Sequence, residues 1–549
     1  MLTTGNIIAK SLVANGVDRI FCVPGESYLG LLDAIYDEKS IDLVVCQHEA
    51  SAGFMALADS RLTGRVGVEC VSRGPGASHA AIAVHSAEQE SLPFLLFIGQ
   101  VPLRDIRRDA FQEIDYSKMF GSIAKWVAEV IDPDQIGEIL LRAFQMAITE
   151  RPGPVVVSVP EDILSAPSFG NIVKPQAKPR AIPNPADIVR TRHLLAASER
   201  PLIIAGSNLG QPGGREALME FATKWNLPVA VSFRHQDLFP NNHRLFAGAL
   251  GYSPKSQLEL LSKSDLILVI GDHLSHVTTN GYTFPPNVNQ NYRIIHVYPD
   301  QSIIGIHSFT ELAISCDAIS FIHALGEFEP GLPLSSPHRE RWVEELRNMQ
   351  TVLANPEVKE VKDGVPFELV IKHVGMNLAE NAIITVDAGK FGLPIYQMIP
   401  FKAPQRLLGP ISGSMGFGIP AAISASIRFP KCPVICFVGD GGFLMTGNAL
   451  SVAIERRLPL KIILSENRMY GTVRAMQERQ YPGRAIGTHF CNPDFELIGR
   501  AFGFEVTHIK AVEQLDLLKS ALRSNGPQLV IVESSVEAIL PKVGLMSKN

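Results

Sequence analysis

Short apolar runs recur along the chain at intervals that leave room for a helix between each and the next. LVVC, GVECV, PFLLFI, PVVVSV, PLIIAG, LPVAVS, DLILVIG, YRIIHV, AIITV, PVICFV, LKIIL and QLVIV follow in order, separated by segments whose apolar residues fall three and four apart. Strands that do not alternate polar with apolar positions must be buried on both faces, and intervening helices supply the cover. The pattern predicts an α/β chain built from doubly wound parallel sheets. Its start, MLTTGNIIAKSLVANGVDRIF, reads as an amphipathic helix entering a strand; it has neither the basic flank nor the small-residue cleavage site of a secretory signal.

Two proline-rich polar stretches interrupt the pattern, GNIVKPQAKPRAIPNPAD at 170–187 and FEPGLPLSSPHRE at 328–340. As linkers they leave three segments of ordinary domain size, 1–170, 186–328 and 345–549. The outer two echo each other: VGVECVSRGPG parallels VICFVGDGG, SLPFLLFIGQ parallels RLPLKIILSEN, and RPGPVVVSVPED parallels NGPQLVIVESS. Three matches in the same order suggest a duplication that flanks a distinct middle domain and holds a ligand between the two copies.

Composition narrows the function. With 549 residues, 46% apolar and 19% charged, the chain has material for about three cores. A net charge of -5 provides no field to gather nucleic acid or an anionic membrane, and the longest apolar runs are far too short to span one. Seven cysteines without regular close spacing point to free thiols in a reducing, cytoplasmic setting. Cys432 and Cys436 are four apart but have no His or Cys cluster beside them, so core thiols are expected there rather than zinc.

Candidate chemistry concentrates after two of the predicted strands. PVICFV runs into Gly439, Asp440, Gly441 and Gly442, and LKIIL runs into Ser465, Glu466 and Asn467. Mg²⁺ takes oxygen ligands in octahedral geometry and commonly combines one or two protein groups with substrate phosphates. A carboxylate and an amide at the carboxyl ends of two strands occupy the edge where open parallel sheets bind ligands. Gly441 and Gly442 would admit phosphate to the backbone, and a following helix carrying Ala449, Leu450, Ala453 and Ile454 would present its positive end. Taken singly, Asp440 is also a helix cap and Asn467 a turn residue. Gly439 to Gly442 does not fit G-x-G-x-x-G. Lys390 follows Gly389 but is succeeded by Phe391, with no glycine five positions before Gly389, which disfavours a P-loop.

GDGGF followed after 27 positions by Asn467 resembles the motif of thiamine-diphosphate-dependent enzymes, with Glu466 where the family has a first Asn. The resemblance extends over all three segments and is closest to the acetolactate synthase (acetohydroxyacid synthase) large-subunit branch. It implies pyrimidine-binding, Rossmann-like middle and diphosphate-binding domains, with Asp440, Asn467 and the carbonyl of Met469 as Mg²⁺ ligands and Tyr470 and Gly471 beside them. It also implies that Glu49, in VVCQHEASAGFMA, donates to the aminopyrimidine and so activates the cofactor. Read alone, Glu49 is equally an acid in the first turn of a helix. PISGSMGFGIPAA resembles the cofactor-contacting segment. Gly413 would offer its carbonyl there, Ser414 would lie beside it and Met415 would bend the cofactor, although a core Met fits the same pattern. DAGKFGLPIYQ aligns Gly389, Lys390 and Phe391 with a diphosphate loop. Pro24 and Gly25, and Gly74, Pro75 and Gly76, match turns on the pyrimidine side; His79 stands where Asn is usual. FQEID places Gln112 at the substrate, or else as a solvated loop residue.

Other positions depart from the family. Glu161 stands in VPED where Lys is usual, Asp272 and His273 occupy GDHLSH in place of an Arg-bearing segment, and Met476 is near the position of a Trp. The resemblance implies a thiamine-diphosphate- and Mg²⁺-dependent decarboxylase or carboligase acting on a 2-oxo acid. The alternatives are a lyase or hydrolase of the same cofactor class acting on a 2-hydroxy ketone or diketone, and a noncatalytic regulatory homologue. A homodimer or homotetramer with sites shared between chains is implied. The middle segment resembles an insert that holds FAD in some relatives and is empty in others.

Overall fold

The computed structural model describes residues 1–285, 293–329 and 336–540. Three six-stranded sheets, every neighbouring pair parallel, carry the expected α/β architecture. The first is ordered Asp42–Val45, Arg19–Cys22, Gly67–Val71, Phe94–Gln100, Pro154–Pro160, Trp126–Glu129. The second runs Phe246–Ala249, Val229–Val231, Pro201–Ala205, Leu266–Ile270, Arg293–Tyr298, Leu312–Ser315. The third runs Arg406–Leu408, Ile383–Val386, Val434–Gly439, Lys461–Glu466, Gln528–Glu533, Glu505–Ile509. The inner strands Gly67–Val71, Phe94–Gln100 and Pro154–Pro160 are buried at every position, which is why their sequences do not alternate.

Both proline-rich stretches give way to helix before their ends. Asn184 caps Pro185–Ala197 and Ser336 caps Pro337–Leu353, each with proline in the first turn, where its missing N–H is not needed. The expected linkers therefore shorten at 185 and 337. Residues 330–335 of the second linker lie outside the described residues, as do 541–549 of the third segment and Tyr292 of YRIIHV. Among the described residues no helix is long and apolar enough to cross a membrane.

The chain forms two compact units. One comprises 1–179 with 410–430 and 446–458; the other comprises 180–409, 431–445 and 459–549. In the first, helix Gly418–Arg428 packs on helix Glu49–Thr63: Ser424 Oγ donates to the Met55 carbonyl at 2.8 Å, and the Phe54 and Phe417 rings meet edge to face at 5.6 Å. At the end of that helix the Arg428 guanidinium donates to both oxygens of Asp59, at 2.7 and 2.8 Å, and to both of Asp18, at 2.8 and 2.7 Å. Asp59 is buried, so removing the cation would leave its charge only the longer contact with Arg19 Nη1, at 3.4 Å. Arg428→Ala is expected to destabilise this packing by about 3 kcal/mol; loss of amide hydrogen-exchange protection along Gly418–Arg428 would show it, and unaltered protection would refute it. The Arg428 hydrogen bonds hold the Asp18 carboxyl below its ordinary range. The pair therefore stabilises the fold at neutral pH, and this contribution is lost as pH falls through the lowered value.

Candidate active site

In the second unit, three neighbouring strands of the third sheet end on polar residues: Ile383–Val386 at Asp387, Val434–Gly439 at Asp440, and Lys461–Glu466 at Asn467. Gly439 pairs with Ser465, so Asp440 and Asn467 leave the sheet at nearly the same level. Asp440 is buried, and N–H donors surround its carboxylate. Oδ1 accepts from the Gly441 N–H at 2.9 Å; Oδ2 accepts from Asn467 N–H at 2.9 Å, Arg468 N–H at 2.6 Å and Asn492 Nδ2 at 3.0 Å. Asn492 Nδ2 also reaches Glu466 Oε1 at 3.2 Å, while Asn492 Oδ1 is buried with no hydrogen-bond partner among the described residues. The 467–471 loop is pinned by an antiparallel bridge between Met469 and His489, by the Tyr470 N–H on the Thr488 carbonyl at 2.8 Å, and by Arg468 in the left-handed region at φ 58°. Asn467 Oδ1 accepts only the Met469 N–H, at 3.1 Å, and the Met469 carbonyl accepts only the Gly471 N–H, at 2.9 Å, among the described residues. Each of these oxygens and Asp440 Oδ1 keeps a lone pair. Three hard oxygens on one loop edge suit a divalent cation such as Mg²⁺.

The glycine turn differs from expectation in two respects. The helix after the strand begins at Asp440 itself and runs to Thr446, so the segment bearing Ala449 to Ile454 does not present its start to Gly441 and Gly442. At Gly442 a side chain would sit 2.8 Å from Asp387 Oδ1, so the missing Cβ is demanded by packing on Asp387. Phe391 covers Gly389 and Gly439 and meets Phe367 edge to face at 5.7 Å, a packing role for its ring. The Lys390 N–H bonds Thr472 Oγ1 at 2.9 Å and its ammonium bonds the Ile539 carbonyl; burial lowers its proton affinity. Gly471 packs on Ile539, Tyr470 faces Phe490 at 4.8 Å between ring centroids, and Met476 is exposed on helix Gly471–Gln480. In the second sheet Asp272 is buried, accepting the Leu274 N–H at 2.6 Å in the turn that also holds His273.

In the first unit, Glu49 is the opening residue of helix Glu49–Thr63. His48 caps that helix through Nδ1, which accepts the Ala50 N–H at 3.1 Å. Burial, and then the neighbouring His79, lower the His48 pKa, which suits a neutral ring in that accepting role. Glu49 Oε2 lies 2.9 Å from His79 Nδ1, and the His48 and His79 rings stack at 4.6 Å. Glu49 Oε1 is close to Gly76, where a Cβ would stand 3.2 Å away. Pro75 is the first residue of helix Pro75–Glu90, which carries Gly76 and His79; Pro24 and Gly25 follow strand Arg19–Cys22, with Gly25 against Ser72. Further along the same helix Ser86 Oγ contacts Ser412 Oγ at 3.1 Å and Ser414 Oγ at 3.2 Å. Gly413, between those serines, has φ 75° and open space about it, and Met415 is half-buried.

One turn beyond Glu49, Gly53 lies against Glu69, a carboxyl wholly buried in the middle of strand Gly67–Val71. Neither oxygen of Glu69 has a hydrogen-bond partner among the described residues. Burial, reinforced by the charge of Glu49, pushes its pKa well above the usual carboxylate range, so it sits as a neutral acid. Gln112 has φ 67° and its backbone oxygen crowds Gly74; its side-chain oxygen accepts from Arg73. Arg73, His48, Glu69, Asp387 and Asn492 carry roles that the motifs did not single out.

The chain resembles one family along its whole length. Residues 2–119 match the N-terminal TPP binding domain of thiamine pyrophosphate enzymes, 188–325 the central domain and 387–532 the C-terminal TPP binding domain. A probable acetolactate synthase large subunit of Methanocaldococcus jannaschii is 31% identical over 98% of this chain and 92% of its own length. Acetolactate synthase isozyme 3 large subunit of Escherichia coli is 29% identical over 98% of this chain and 95% of its own length. The acetolactate synthase large subunit of Lactococcus lactis is 29% identical over 98% of this chain and 94% of its own length. With an acidic residue opening the helix after one strand, a paired Asp and Asn ending two others, and this likeness from end to end, the chain belongs to the thiamine pyrophosphate enzyme family, in its acetolactate synthase large-subunit branch.

Proposed function

We propose that this protein is a thiamine-diphosphate- and Mg²⁺-dependent enzyme that decarboxylates a 2-oxo acid and joins the resulting acyl unit to a second carbonyl compound; its relatives are named as acetolactate synthase large subunits. The observation that carries the reading is the Asp440–Asn467–Met469 edge, whose three oxygens keep lone pairs on adjoining strand ends. Asp440, Asn467 and the Met469 carbonyl would hold Mg²⁺ and, through it, the diphosphate; Gly439, Gly441 and the Gly389–Phe391 loop flank that edge. When bound, thiamine diphosphate supplies a carbon nucleophile and an electron sink for the carbanion left by loss of carbon dioxide. Glu49, oriented by its hydrogen bond with His79, would donate to a ring nitrogen of the aminopyrimidine and so tune the cofactor. Gly413, Ser414 and Met415 orient the cofactor's middle, and Pro24, Gly25 and Pro75 shape the pyrimidine side.

The domains are placed at 1–170, 186–328 and 345–549, and the matched spans 2–119, 188–325 and 387–532 fall inside them. A homodimer or homotetramer with sites shared between chains is the proposed active form, and the relatives' designation as large subunits supports a smaller regulatory partner. Seven free cysteines suit a cytoplasmic location. With thiamine diphosphate, Mg²⁺ and pyruvate, the purified protein is expected to release carbon dioxide and form acetolactate. Turnover of a 2-hydroxy ketone or diketone, with no carbon dioxide from any 2-oxo acid, would instead identify a lyase or hydrolase.

A further inference from the structure

We propose that Arg73 receives the carboxylate of the 2-oxo acid, with Gln112 and Glu161 fixing its guanidinium, and that Glu161 restricts the substrate to monocarboxylates. The inference rests on the 2-oxo acid reading above. Arg73 follows strand Gly67–Val71, Gln112 lies in the loop after Phe94–Gln100, and Glu161 follows Pro154–Pro160, so three successive strands of the first sheet end on this cluster. That edge is where an open parallel sheet takes its ligand. Arg73 Nε donates to Gln112 Oε1 at 3.2 Å and Nη1 donates to Glu161 Oε2 at 3.1 Å. Arg73 is also only three residues from Gly76, which lies against the Glu49 carboxylate, so the turn that carries the cation packs against the proposed activating acid.

Two features set this pair apart from an ordinary surface ion pair. The Arg73 side chain is only 15% exposed, whereas Glu161 is 37% exposed, so the cation is sunk while its counter-charge stays within reach of water. The loop is also held in costly backbone: Gln112 is a non-glycine residue at φ 67°, and its carbonyl oxygen would stand 2.6 Å from a Cβ on Gly74, itself at φ 28°. Such strain persists where the surroundings over-determine it, characteristically around ligand sites. A guanidinium has five N–H donors in a planar fork, and two are engaged in these bonds. The rest can meet a carboxylate in bidentate fashion. Glu161 balances the cation when the site is empty and competes for it when substrate arrives. It would repel a second carboxylate on the substrate, which excludes 2-oxo dicarboxylates.

The test compares wild type, Arg73→Gln and Glu161→Gln by carbon dioxide release from pyruvate and 2-oxoglutarate, alongside calorimetric titration with thiamine diphosphate and Mg²⁺. Arg73→Gln is expected to raise KM for pyruvate about 10- to 100-fold, the loss of a charge-assisted hydrogen bond, with a smaller change in kcat and retained cofactor affinity. Glu161→Gln, which keeps the cation and removes only the exposed acid, is expected to lower KM for pyruvate several-fold and to raise the relative rate with 2-oxoglutarate. If Arg73→Gln does not fold, Glu161→Gln decides alone. An active wild type with the same KM and substrate preference in the folded variants would overturn the role of Arg73. A wild type that binds no cofactor or releases no carbon dioxide would overturn the functional reading on which it rests.

Discussion

Asp440→Ala is expected to weaken Mg²⁺-dependent binding of thiamine diphosphate by more than about a hundredfold, since losing a mere supporting partner of a metal ligand already costs about 10–100-fold. Two effects combine. The substitution removes one of three candidate oxygen ligands, and it also frees the N–H groups of Asn467 and Arg468, which Asp440 Oδ2 now holds at 2.9 and 2.6 Å. Asn467 would then lose its own orientation, because the turn that aims its amide is tied to the aspartate. Asn467→Ala separates the contributions, leaving the Asp440 carboxylate and its backbone donors in place while deleting one ligand; a smaller loss is expected. Calorimetric titration at fixed Mg²⁺ measures both. Cofactor affinity undiminished in folded Asp440→Ala protein would remove this aspartate from the metal site.

The parts of this arrangement that were legible in the sequence are those fixed by local chemistry. Gly67–Val71, Phe94–Gln100 and Pro154–Pro160 announce themselves because both their faces are buried. The edge strands Trp126–Glu129, Arg406–Leu408 and Glu505–Ile509 are short, polar or partly exposed, and their sequences carry apolar runs of three residues at most. Asp440, Asn467 and Glu49 could be located because each ends or follows a readable strand. The helix opening at Asp440 was hidden by its glycines, which have poor helix propensity and read as a loop, so the helix was expected further along.

Partnerships across long chain separations left no local signal. Arg73 and Glu161 are 88 residues apart, and Asn492 reaches Asp440 across 52. Glu161 in place of a lysine could be seen as a change of charge, but only the fold places Arg73 opposite it and restores a cation to that edge. Glu69 is a different case. A carboxyl in the centre of a buried strand contradicts the strand's own pattern, and its neutral state follows from burial beside Glu49 rather than from any motif.

Glu49→Gln is expected to lower deuterium exchange at the cofactor's reactive carbon by about 10²–10⁴-fold, the usual contribution of a positioned acid or base. Cofactor affinity should stay close to wild type, because the proposed diphosphate anchor is Asp440 and Asn467. The amide occupies the same volume against Gly76 and can still bond His79, so the helix start should persist; what is lost is the exchangeable proton. His79 provides an internal control. Its Nδ1 stands 2.9 Å from Glu49 Oε2 and its ring stacks on His48, so it orients the carboxylate without taking over its role. His79→Asn, which keeps a hydrogen-bond donor, is therefore expected to retain most of the exchange. The two variants must differ in this way: exchange unchanged in Glu49→Gln would reject the activating role, and equal losses in both would shift it from Glu49 alone to the Glu49–His79 pair.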